Sequence, residues 1–232
     1  MNTDAPKLTR RQEAGAVARA ETRRRLLRAA EEEFTEHGYT ATTVSKIAAR
    51  AGVTVQTLYL ACNSKRELLR ACMESQLAGD ENTSYPQARP AMIAAALGKS
   101  RDDPAQTLRR IGALYRQIAE RAAPGWRLYR DAAAADPEIA ADWEALQALR
   151  HETFAALIAH LPTRTLRRGM TKAAAIDTAW AIASPDTYDM LVRRRGYTLD
   201  RYQDWVTDAL AALLIEPSHV VSRPISRSKS KR

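Results

Sequence analysis

The chain has 232 residues, 45% hydrophobic and 27% charged, with 36 Lys+Arg against 27 Asp+Glu. That is room for one domain, or a small one fused to a larger one, and the composition excludes a disordered, fibrous or membrane-embedded chain. Two cysteines, Cys62 and Cys72, are too few for a secreted disulfide scaffold.

Residues 1–20 are polar and irregular, with Arg10, Arg11 and Arg19, and read as a loose basic arm. From Glu21 the pattern becomes helical: Leu26, Leu27, Ala30 and Phe34 recur at helix spacing until "EHGY", where Gly38 suits a left-handed closing residue. The stretch "TTVSKIAARAGVTVQTLYLACNSK" (42–65) then packs several cap and turn signals into two dozen residues. Thr43 can cap a helix from Val44 to about Arg50 with Val44, Ile47, Ala48 and Ala51 on one face. Gly52 makes a turn, and Thr54 can cap a second helix from Val55 to about Ala61. Ser64 and Glu67 read as the capping box of a longer helix reaching Leu77.

Helices this short are not stable alone. Held by Val53 and Leu58 against its neighbours, however, the second would be presented with Val55, Gln56, Thr57 and Tyr59 outward. Two short helices joined by a glycine turn form the helix-turn-helix pattern, whose second helix enters the major groove of DNA. Gln56 can pair with adenine, and Thr57 and Val55 can meet a thymine methyl. Thr42, Thr43, Lys46, Tyr59 and Lys65 are placed to contact phosphate, which positions without specifying, and Arg23, Arg24 and Arg25 can reach the backbone from the first helix.

Residues 79–103 hold several turn signals around a short apolar patch and read as a domain junction with a short helix. Beyond it, Asp103-Pro104, Asp136-Pro137 and Ser184-Pro185 each place a capping side chain before a proline. Helices are expected near 104–122, 124–134, 137–161, 171–183, 185–195 and 199–214, with Gly169 and Gly196 at helix ends. The aromatic residues Tyr115, Trp126, Tyr129, Trp143 and Phe154 gather here, as lining of an apolar ligand cavity or as core. On the last helix Leu199, Tyr202, Val206, Leu210 and Leu213 form one apolar stripe and Trp205, Ala209 and Ala212 a second. So wide a surface predicts a two-fold dimer contact through Trp205, Val206, Ala209 and Leu213. Residues 216–232 carry five basic residues and one acidic residue and read as a disordered basic tail.

The fold class expected is all-α, with an arm (1–20), a DNA-binding domain (21–78), a ligand-binding and dimerisation domain (79–215) and a tail (216–232). No stretch approaches a membrane span and no signal-peptide core opens the chain, so a cytoplasmic location is expected. The four histidines are scattered, and no Gly-rich phosphate loop, metal-ligand cluster or nucleophile elbow appears. Neither an enzyme nor a cofactor or metal is expected.

Residues 23–69, "RRRLLRAAEEEFTEHGYTATTVSKIAARAGVTVQTLYLACNSKRELL", resemble the DNA-binding segment of the tetracycline-repressor (TetR) family. Residues 184–214 are similar to a C-terminal segment of many members. The resemblance implies a homodimer that binds a palindromic operator and releases it when a small molecule enters the C-terminal domain. A ligand-free or activating regulator of the same family is the alternative. The chain departs from the family pattern at Lys46, where an acid is common, at Ala61, where Tyr or His is usual, and at Cys62, where an aromatic is common.

Overall fold

The computed structural model describes residues 10–81, 83–98 and 103–217. Ten α-helices run through the described residues: α1 (Arg10–Ala41), α2 (Val44–Arg50), α3 (Val55–Cys62), α4 (Lys65–Ala78), α5 (Tyr85–Leu97), α6 (Pro104–Ala133), α7 (Pro137–Ala159), α8 (Lys172–Ile182), α9 (Pro185–Tyr188) and α10 (Leu199–Leu214). A 3-10 turn covers Thr163–Thr165, and α9 passes into a π-helical segment, Asp189–Arg194. The one strand-like feature among the described residues is an isolated antiparallel bridge between Leu166 and Ile215.

The caps expected from the sequence form. Thr43, Thr54, Ser64 and Ser184 each accept a hydrogen bond from the backbone N–H three residues on, and Asp103 and Asp136 from the N–H groups two and three residues on. Thr171 and Thr198 cap α8 and α10 in the same way. Only half of the Ser64 capping box is made, because the Glu67 carboxylate turns to Arg70 instead.

Three elements differ from expectation. The stretch expected as a loose arm is helical from Arg10, so α1 starts well before Glu21 and breaks only at Gly38, where φ is 75°. Its sequence, "RRQEAGAVARAET", is dominated by good helix formers, which continue the helix. Residues 1–9 and the tail from 218 lie outside the described residues.

The helices expected at 104–122 and 124–134 are one, α6, with Pro124 inside it. The proline gives up a single backbone bond, to the Glu120 carbonyl. Ile118, Ala122, Trp126 and Tyr129 remain in phase on either side and are all buried, which outweighs that loss. The helix expected at 185–195 is α9 plus the π-helical turn, and Gly196 (φ 71°) closes it as read.

The chain gathers into two compact units that do not follow the boundary expected at residue 79. Residues up to Pro90 with Glu120–Gln147 form one; Ala91–Ala119 with the chain from Ala148 form the other. Thus α5, α6 and α7 each contribute to both. The physical reason in the first unit is a set of ties from α4 to the later helices. Arg66 donates to both carboxylate oxygens of Asp142, at 2.6 and 2.7 Å, and to Glu138 at 2.7 Å. Arg121 donates to the Gln76 and Leu77 carbonyls near the end of α4. A side chain on Gly125 would meet Gln76 Oε1 at 2.1 Å, so glycine allows the close approach there.

In the second unit α10 lays Tyr202, Val206, Leu210 and Leu214 into the core. Gly112 of α6 lies so near α10 that an added Cβ would meet Thr207 Oγ1 at 2.4 Å. The Lys172 ammonium donates to the Ile158, Ala159 and Leu161 carbonyls and so caps the end of α7. No helix of the described residues is long and apolar enough to cross a membrane.

The Arg66 guanidinium holds the Asp142 carboxyl below its usual range. A carboxyl whose folded pKa is depressed stabilises the fold above its unfolded pKa, and that stability disappears as pH falls through the folded value. Asp142→Asn is therefore expected to lower the urea midpoint near pH ~7. The gap to the parent should close as the pH drops below the usual carboxylate range. A gap that stays constant with pH in urea titrations would show that the pair contributes nothing.

Candidate nucleic-acid interface

The α2–turn–α3 segment is built by local hydrogen bonds. Gly52 takes φ 65°, its N–H bonds the Ala49 carbonyl at 3.1 Å, and the Val53 N–H bonds the Ala48 carbonyl at 3.0 Å. This pair of bonds ends α2 in the left-handed motif that glycine favours. Thr54 then restarts the chain as α3, its hydroxyl accepting from the Thr57 N–H at 3.1 Å. Asn63, with φ 53°, closes α3, its N–H bonding the Tyr59 carbonyl at 2.9 Å.

Leu58 (0% exposed) and Cys62 bury one side of α3, while Ile47 and Ala48 bury one side of α2. Leu26, Leu27, Ala30 and Phe34 of α1 and Leu68, Leu69, Cys72 and Met73 of α4 complete the core of the unit. Burial raises both thiol pKa values, so Cys62 and Cys72 remain protonated core thiols, and Cys72 donates to the Leu27 carbonyl.

The candidate base-reading residues end up together on the outer side of α3. Gln56 is exposed, and Val55 and Thr57 are half-buried. The Thr57 hydroxyl pairs with that of Thr54 at 2.9 Å. Leu60, not among the residues singled out by the sequence, is at 81% the most exposed large apolar residue among the described residues and stands one turn after Gln56 on the same face. The signal was the i, i+4 spacing of an apolar residue with Gln56.

The candidate phosphate residues divide. Thr43 and Lys46 are exposed at the start of α2, and Tyr59 is 47% exposed. Thr42 is instead buried, its hydroxyl donating to the Glu33 and Gly38 carbonyls. Lys65 donates to the Tyr39 and Thr42 carbonyls at 3.0 and 2.9 Å and lies over the Tyr39 ring. Both residues fasten the chain reversal after Gly38. Arg50 does the same from α2, donating to Glu33 and bidentately to Glu36. Arg23 and Arg25 are exposed, and Arg24 pairs with Glu21 and Glu81.

The five aromatic ligand candidates form two separate groups. In the first unit Trp126 meets Trp143 edge-on at 5.3 Å, and Tyr129 lies 6.3 Å from Trp143. In the second, Tyr115 stacks on Phe154 at 4.3 Å. On α10, Val206 is fully buried in its own unit, so it is core and not part of an outer face. Trp205 and Ala209 are half-buried and Leu213 is 44% exposed. The reason is a small rotation of the expected stripe: Leu214, not Leu213, follows Tyr202, Val206 and Leu210 inward.

Comparison with known proteins agrees with this architecture. Residues 26–72 match the family model of the bacterial regulatory proteins of the tetR family. No curated protein matches the chain in sequence. Among solved structures, the complex of SmeT with triclosan superposes with a TM-score of 0.67 at 22% identity, covering 86% of this chain and 94% of that one. SmeT described as the repressor of the Stenotrophomonas maltophilia multidrug efflux pump SmeDEF superposes at 0.58 and 21%, over 87% and 95% of the chains. NalD, the secondary repressor of the MexAB-OprM pump in Pseudomonas aeruginosa, superposes at 0.62 and 21%, over 84% and 97%. The motif geometry, the family-model match over residues 26–72 and the shared fold agree: the chain carries a tetR-type helix-turn-helix segment on the fold of these regulators.

Proposed function

We propose that this chain is a repressor that binds a two-fold symmetric operator as a homodimer and releases it when an apolar or aromatic small molecule binds. The observation that carries the DNA reading is the outward face of α3, where Gln56 and Leu60 stand exposed on a helix anchored by buried Leu58. Thr43, Lys46 and Tyr59 flank it as phosphate contacts. Thr42 and Lys65 support these positions from within, through the carbonyls they bond.

Dimerisation is assigned to the outer side of α10, through Trp205, Ala209 and Leu213. The effector reading draws on SmeT, which was solved with triclosan, and on the repressor roles of SmeT and NalD. Its candidates here are the two aromatic groups, Trp126, Tyr129 and Trp143 in one unit and Tyr115 and Phe154 in the other.

Selection of preferred duplexes from a random library tests the reading. An inverted repeat is expected, with affinity falling steeply with salt as counterions are released. A single half-site, or no preference, would overturn it.

Two substitutions test the contacts. Gln56→Ala is expected to cost about 1–3 kcal/mol on the selected site and to relax preference at one position per half-site. Equal weakening on every sequence would remove Gln56 from base reading. Lys46→Ala is expected to weaken selected and random duplexes alike, lowering the salt slope by roughly one per subunit. An unchanged slope would remove the phosphate contact.

A further inference from the structure

Glu33, Glu36 and His37 stand one turn apart on α1, in the unit that carries the helix-turn-helix. Each brings one donor atom to a common point, with all three within 4.8 Å of one another. A cluster of this kind on an exposed helix face would mean little by itself. Glu33 sets this one apart.

Its side chain is 7% exposed. One oxygen, Oε1, accepts from Arg50 Nε at 2.8 Å. The other, Oε2, is buried without a hydrogen-bond partner. A buried carboxylate oxygen left unmatched is costly, so its surroundings call for a cation or donor. That oxygen points at His37 Nδ1, 3.3 Å away. Glu36 Oε2 lies 4.0 Å from the same nitrogen. Ligands at about 2.0–2.2 Å from a tetrahedral ion stand roughly 3.3–3.6 Å apart. The first separation already fits, and the second closes if Glu36 gives up part of its bidentate contact with Arg50.

Charge points the same way. Glu32, Glu33 and Glu36 all lie within ion-pair distance of one guanidinium, that of Arg50. Three carboxylates around one guanidinium leave an excess of negative charge, which a dication offsets. The Arg50 guanidinium also holds Glu36 Oε2 at 2.6 Å, so an ion would take that oxygen from it while Glu33 stays bonded to Arg50. The Arg50 bond to Glu33 Oε1 orients that carboxylate from behind, as outer-shell donors do around bound metals.

We propose that Glu33 Oε2, Glu36 and His37 Nδ1 form a divalent transition-metal site on α1, with water completing the coordination. An imidazole with two carboxylates favours Zn2+, Ni2+, Co2+ or Cu2+ over Mg2+ and Ca2+, which take oxygen donors. The site does not depend on the operator or effector reading.

The test uses the tag-free full chain and Co2+ as a visible probe. One Co2+ per chain is expected to give a d–d absorption band that Zn2+ displaces and Mg2+ does not. His37→Gln should weaken Co2+ binding at least about tenfold, since loss of even an outer-shell partner costs 10–100-fold. His37 is largely exposed and outside the core, and circular dichroism checks that the variant stays folded. His151→Gln is the control, because His151 pairs with Asp177 elsewhere and should leave the band intact. No band up to millimolar Co2+, an unchanged titration in His37→Gln, or loss of the band in His151→Gln would each overturn the proposal.

Discussion

Leu58→Ala is expected to lower the unfolding free energy by about 2–5 kcal/mol and to abolish sequence-specific DNA binding. Leu58 is wholly buried, and it is the one large aliphatic anchor of an eight-residue helix. A helix of that length has no stability of its own in water, so its orientation comes from what it packs against. Truncating Leu58 removes the transfer energy of the side chain and leaves a void among α1, α2 and α3 that the surrounding helices fill only partly. The proposed base-reading side chains of α3 would then lose their fixed placement even in molecules that remain folded. Urea unfolding gives the stability loss, and fluorescence anisotropy on the selected duplex gives the binding loss. Tyr59→Ala is the contrast. Tyr59 is 47% exposed, so its loss should shift stability within about 0.5 kcal/mol while weakening DNA binding. A Leu58→Ala protein that binds the selected duplex like the parent would show that α3 is held by something other than this packing.

On the proposed two-fold assembly, Trp205→Glu is expected to give a folded monomer and to weaken binding to the selected duplex by about 100-fold or more. Trp205 lies on the outer side of α10 with Ala209 and Leu213, away from the buried line Tyr202, Val206, Leu210 and Leu214. In a two-fold contact a surface meets its own copy, so one substitution introduces two carboxylates. Each would be desolvated without a partner, which costs several kcal/mol per charge. The DNA consequence follows from valence: two linked reading heads exceed one by 10²–10⁴ when both half-sites can be engaged. Light scattering reads the mass, and anisotropy reads the affinity. Val206→Glu separates the outer face from the core. Val206 is buried within one chain, so that change should unfold the unit instead of dissociating a folded dimer. A Trp205→Glu protein that remains dimeric would remove this face from the assembly.

Much of the DNA-binding segment was legible in the amino-acid order, because it is made of short-range bonds. Thr43, Thr54 and Ser64 bond N–H groups three residues away, and Gly52 closes α2 through carbonyls within five residues. A cap, a glycine and an apolar spacing state such geometry locally. The same holds for the all-α class and for the outward placement of Gln56.

What the order of residues left open depends on partners far along the chain. Thr42 and Lys65 read as phosphate contacts because polar residues near a helix start usually face solvent. Lys65 instead reaches carbonyls 26 and 23 positions earlier, and Thr42 turns back to Glu33. The Glu33–Glu36–His37 spacing is plain on α1, yet nothing in it says that one oxygen of Glu33 is buried unmatched. The five aromatic residues looked like one group and fall into two, because α6 and α7 each serve both units. Periodicity specifies which side of a helix is apolar, and caps specify where it begins. The sequence by itself therefore determined the all-α class, the caps and the turn between α2 and α3. Which polar side chains turn inward, and that Arg66 finds Asp142 76 residues away, was decided only by tertiary packing, where a buried charge or donor must be matched by whatever the fold brings beside it.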